Sequence, residues 1–178
     1  MTEKQQQAID IIFSKIPDEY KESYREIAEC AISLGYIPSI KGSKQQFAIF
    51  NKAFSKAKTN RTILKFETDP KQKNPPGMLI RYFANEFPYS PLFTKAIENR
   101  INAGWGSPCQ KITGVGDWVC GDCGSTHAYR YAKPDGEIVV SCGYMSLVFL
   151  PYVKAENVAE IKDALVKQAD FYAEYFNK

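Results

Sequence analysis

Four of the chain's five cysteines crowd into one stretch: Cys109, the pair Cys120-Gly-Asp-Cys123, and Cys142 followed by Gly143. Two thiolates separated by two residues can bend around one ion, and two more from elsewhere close a sulfur tetrahedron around Zn²⁺. Glycines follow Cys120, Cys123 and Cys142, which suits tight turns that fold amide N–H groups towards sulfur. The spacing Cys109-x10-Cys120-x2-Cys123-x18-Cys142 leaves room for a hairpin that carries one ligand back to the central pair. The expectation is a structural zinc ribbon with Cys109, Cys120, Cys123 and Cys142 as ligands. His127, the single histidine and four residues beyond Cys123, is the alternative to Cys109 as fourth ligand.

Two other chemistries compete for the same residues. Trp118-Val119-Cys120-Gly121-Asp122-Cys123 superficially resembles the thioredoxin dithiol, and Cys120 and Cys123 would then exchange disulfides. That mechanism needs the first thiol at a helix N-terminus, which lowers its pKa. Here Gly124-Ser125-Thr126 follows, and a strand is expected next. A hydrolytic zinc site needs an open coordination position and a nearby base, and the deaminase order of His-x-Glu before Pro-Cys-x-x-Cys is missing. The chain carries no Gly-rich phosphate loop, no paired-carboxylate motif and no nucleophile elbow. The expected function is a non-enzymatic binding or regulatory role, with no catalytic residue assigned.

Formal net charge is only +3, and four thiolates with one Zn²⁺ would reduce it to about +1. Its distribution is uneven. Between Lys41 and Arg81 ten basic residues face two acidic ones, Glu67 and Asp69. Strict strand alternation puts Lys52 and Lys56 with Phe50 and Phe54 on one side, and Arg61, Lys65 and Glu67 on another. A sheet face presenting several of Lys52, Lys56, Arg61, Lys65 and Arg81 would suit nucleic acid or another anionic ligand. The plainer reading is that Lys covers the wet face of an antiparallel sheet and blunts its edges.

These residues need elements to hold them. With 178 residues, 44% hydrophobic and 13% aromatic, the chain suits one domain with a small appendage and a core that needs no disulfides. No apolar run reaches the roughly 18 residues of a membrane span. The polar start Met1-Thr2-Glu3-Lys4 shows no signal-peptide core, so the cytoplasm is expected, where clustered thiols stay reduced.

Thr2 and Gln5 read as a capping box opening a helix with Ala8, Ile11, Ile12 and Ile16 on its apolar side, stopped by Pro17. Asp18 is expected to cap a second helix with the stripe Tyr20, Tyr24, Ile27, Ala31 and Leu34, ended by Gly35. Cys30 falls on that stripe and reads as a core thiol. Residues 47–54, 62–67 and 78–84 read as strands. Ser90 and Pro91 start a helix bearing Phe93, Ile97 and Ile101, ended by Ala103-Gly104. The aromatic run 81–93 reads as core packing, with a ligand pocket as its rival. A hairpin of strands 127–132 and 138–150 closes around Pro134-Asp135-Gly136. The last helix buries Val158, Ile161, Leu165, Ala169, Tyr172 and Phe176.

The order predicts an α+β fold: an antiparallel sheet with helices packed on one face, a zinc-ribbon-like hairpin insert, and a C-terminal helix. Its parts are a body over 1–104, a Cys-rich insert over 105–150, and a helix over 151–178 that packs on the body. Gly35-Tyr36-Ile37-Pro38, the Cys-Gly-Asp-Cys to Tyr-Arg-Tyr-Ala-Lys-Pro-Asp-Gly segment, Cys142-Gly143 and the closing Glu160-Ile161 to Lys167-Gln168 helix resemble a group of small bacterial proteins with no established activity. The resemblance implies an α+β body paired with a Cys-bound insert, and no reaction.

Overall fold

The computed structural model of the chain describes residues 2–68, 76–81, 90–104, 109, 128–132, 135–142 and 147–177. Four helices and seven strands lie among them. The helices are α1 (Glu3–Phe13), α2 (Asp18–Ser33), α3 (Pro91–Asn102) and α4 (Ala155–Phe176). The strands are β1 (Ile37–Lys41), β2 (Phe47–Phe54), β3 (Thr59–Glu67), β4 (Gly77–Arg81), β5 (Ala128–Ala132), β6 (Ile138–Cys142) and β7 (Leu147–Pro151). The chain divides into two compact units, one of residues 1–80 and 149–178, the other of residues 81–148.

The first unit holds a five-stranded sheet in the order β1-β2-β3-β4-β7, antiparallel from β1 to β4. Its helices lie on one face. Phe66 of β3 meets Phe13 of α1 at 6.4 Å and Tyr24 of α2 at 4.9 Å between ring centroids. Phe54 of β2 meets Tyr172 and Phe176 of α4 on that same face. Aromatic pairs at these spacings add to the burial of their apolar area. Register confirms the sidedness. Ala48 opposes Phe66 and Phe50 opposes Leu64, and all four are buried.

Local chemistry explains the helix ends. Thr2 Oγ1 accepts the Gln5 N–H while Gln5 Oε1 accepts the Thr2 N–H, so two otherwise orphaned donors are satisfied. Asp18 is the first residue of α2 rather than its cap, which is Pro17. Its carboxylate sits at the positive end of the helix dipole. Gly35, with φ +84°, takes the left-handed turn that ends α2. All six apolar positions expected on the last helix are buried along α4.

Three departures from the sequence reading have physical causes. A short strand, β1, precedes Phe47; its Pro38 hid it, since proline enters sheets mainly on edges. Residues 138–150 form two strands, β6 in a two-stranded sheet with β5 and β7 at the edge of the large sheet. Third, β3 contains a bulge: Phe50 pairs with Leu64 but Asn51 pairs with Thr62, leaving Ile63 as an extra residue. Ile63 and Leu64 are consequently both fully buried. A bulge inverts the facing of everything beyond it, so Arg61 opposes Lys52 on the helix-covered face, while Lys65 opposes Ile49 on the other.

Candidate metal centre

In the second unit the β5–β6 hairpin sets the position of Cys142. Glu137 N–H donates to Asp135 Oδ1 at 3.0 Å, a local turn closure typical of Asp. Gly136 supplies the φ of +87° that the turn requires. From there the ladder runs Ala132 opposite Ile138 to Ala128 opposite Cys142. Alternation along β6 puts Val140 and Cys142 on one face.

Cys109 arrives at that strand from far upstream. Its backbone N–H donates to the Val140 carbonyl at 2.9 Å. Cys109, Val140 and Cys142 make one buried cluster, exposed by 4%, 8% and 8%. Two of the four expected ligand positions therefore converge, although many residues separate them. Cys120, Cys123 and His127 lie outside the described residues. Ala128, the residue after His127, stands opposite Cys142, and five positions separate it from Cys123. Among the described residues no group of three or more His, Cys, Asp or Glu assembles; only two members of the expected set fall within that range.

The fifth cysteine belongs to different surroundings. Cys30 is half-buried on α2, less enclosed than a core position. Burial pushes its thiol above the ordinary range while Lys162 pulls it back. A thiol held protonated is a poor nucleophile.

The basic side chains are engaged by the chain itself. Lys52 Nζ donates to the Leu34 carbonyl at 2.9 Å, at the C-terminal cap of α2, and stands 5.5 Å from the Tyr36 ring centroid. Lys56 Nζ donates to the Asn177 carbonyl at 2.8 Å, at the end of α4. Cations suit both places because helix C-termini carry partial negative charge. The Arg61 guanidinium lies 4.5 Å from the Phe176 centroid. Lys65 Nζ lies 3.8 Å over the Phe47 ring and 3.7 Å from Glu67 Oε2. Arg81 ends β4, and its side chain lies outside the described residues. The bulge moves Arg61 from the face of Lys65 to that of Lys52, so these three side chains are divided between the two faces of the sheet.

Sequence reasoning missed the Lys52–Tyr36–Leu34 arrangement, since nothing local links a strand lysine to the end of a preceding helix. No helix among the described residues is long and apolar enough to cross a membrane. Comparisons with protein-family models, with curated proteins and with solved structures find no match to this chain.

Proposed function

We propose that this chain is a cytoplasmic, non-enzymatic binding or regulatory protein whose second unit is stabilised by structural Zn²⁺, with Cys109, Cys120, Cys123 and Cys142 as ligands. The observation that carries the reading is the buried cluster of Cys109, Val140 and Cys142. Thiols brought together under cover from distant points of a reduced chain serve metal binding better than they serve anything else. A Cys-x-x-Cys exchange pair, by contrast, would use Cys120 and Cys123 alone and would have no need of the other two.

Metal has a clear energetic part in such a unit. The free energy of zinc binding becomes folding free energy where no preformed site exists in the unfolded chain. The test is Cys123→Ser in protein purified under reducing conditions, with metal per chain and thermal stability measured together. Both should fall. A variant that keeps its zinc and its melting temperature overturns the reading.

A further inference from the structure

The β1 edge of the large sheet, where Pro38 is buried and Ile40 half-buried, is chemically prepared to receive another strand. Thr68 N–H donates to the Gln46 carbonyl, which makes positions 46 and 68 a hydrogen-bonded pair of the β2–β3 ladder. Hydrogen-bonded and non-bonded pairs alternate in antiparallel sheets, so Ala48 and Phe50 also direct their backbone groups at β3. Phe47, Ile49 and Asn51 then direct theirs at β1, where they oppose Lys41, Ser39 and Ile37. Pro38 and Ile40 are left pointing away from the sheet. Tyr36, two residues earlier, follows the same parity, donating its N–H to the Ala31 carbonyl of α2.

A cavity of about 500 Å³ runs along this edge. All five residues of β1 line it, opposite Thr2, Gln5, Ala8 and Ile11 of α1 and its cap. Residues from both faces of a strand can border one cavity only along its open edge. The edge therefore offers three groups: the Pro38 carbonyl, the Ile40 N–H and the Ile40 carbonyl. Proline removes one donor, a common protection against uncontrolled pairing, and leaves a short, selective template.

We infer that this groove binds an extended peptide segment as an added antiparallel strand, with an acidic residue opposite Lys41. One partner residue exchanges two hydrogen bonds with Ile40, and the residue two further on donates to the Pro38 carbonyl. Those two side chains face Ala8 and Ile11 and should be apolar, whereas the one between them opposes Ser39. Charge fixes the remaining position. Among the described side chains lining the groove Lys41 is the charged one, and it is exposed. Main-chain bonds supply affinity and alternate side chains supply choice in this mode of recognition.

The inference extends the proposed binding role without using the metal centre, so zinc content and peptide binding can fail independently. The probe is fluorescein-labelled acetyl-Glu-Val-Thr-Val-Ile-amide titrated with the full zinc-loaded chain, followed by anisotropy. Saturable binding is expected, weakened at least about tenfold by Ile40→Pro, which removes the outward N–H without touching the β2 ladder. Lys41→Glu should reverse the preference towards the same peptide with Lys in place of Glu, and it keeps the test decisive should Ile40→Pro fail to fold. No saturable binding, or binding indifferent to Lys41→Glu, overturns the inference. So does a homodimer that Ile40→Pro dissociates, since a second copy would then own the edge.

Discussion

Cys109 is tied to Val140 through its own backbone, N–H to carbonyl at 2.9 Å, two positions from Cys142 along β6. This bond places Cys109 at the strand that ends in Cys142 before any metal is considered. In the zinc site proposed above, Cys109 rather than His127 is then the expected fourth ligand. Cys109→Ser should weaken zinc retention against a competing chelator at least about 10-fold and lower thermal stability. His127→Ala should leave both near the parent values. The reverse result would assign the histidine.

Two buried tyrosines make a matched comparison. Tyr24 donates its hydroxyl to the Pro76 carbonyl at 2.9 Å, whereas no described residue partners the buried Tyr36 hydroxyl. Tyr24→Phe should cost about 1–2 kcal/mol in urea denaturation, because a carbonyl loses its donor. Tyr36→Phe should be neutral or mildly stabilising, because a buried polar group without a partner is itself a cost. Burial raises both phenols above the ordinary value of 10.0. The unfolded chain then loses these protons first, so stability should fall as pH rises past that value. Tyr36→Phe should shrink the fall.

Gly77 of β4 stands against Phe149 of β7, whose ring occupies the place a Cβ would take. Phe149 is exposed by 43% and its ring can swing aside, so Gly77→Ala should cost about 1 kcal/mol, the low end of overpacking. Combining it with Phe149→Ala should recover most of the loss beyond the sum of the single effects. Additive losses in the double-mutant cycle would mean that the ring and the glycine do not interact.

Lys52 is a positioning cation for α2. Lys52→Met keeps the aliphatic stem over Tyr36 but removes the donor to the Leu34 carbonyl. We expect a loss of about 1 kcal/mol, measured by chemical denaturation. An unchanged midpoint would show that water serves the carbonyl equally well.

The helices were legible because their signals are local and periodic. The Thr2–Gln5 box, the left-handed Gly35 and the α4 stripe from Val158 to Phe176 all need only near neighbours to be read. The bulge at Ile63 was not legible, since it exists only in the pairing of β3 with β2. Missing it put Arg61 on the face of Lys65, whereas it stands opposite Lys52. The edge strand went unread for the opposite reason: Pro38 argues against a strand unless one knows the strand lies at an edge. For the candidate metal centre, spacing singles out four thiols, but the contact of Cys109 with β6 depends on a fold that spacing cannot encode.

The chain leaves the large sheet after β4 and rejoins it at β7, the neighbouring strand. Everything between Arg81 of β4 and Leu147 of β7 is thus a long excursion whose two ends are pinned side by side. Closing so long a loop is entropically costly while it is unstructured, and less so once it has internal order. Whatever rigidifies the excursion should therefore register in the host sheet as well. Chelation would be felt by a protease probing β7, far along the chain from the nearest cysteine of the central pair.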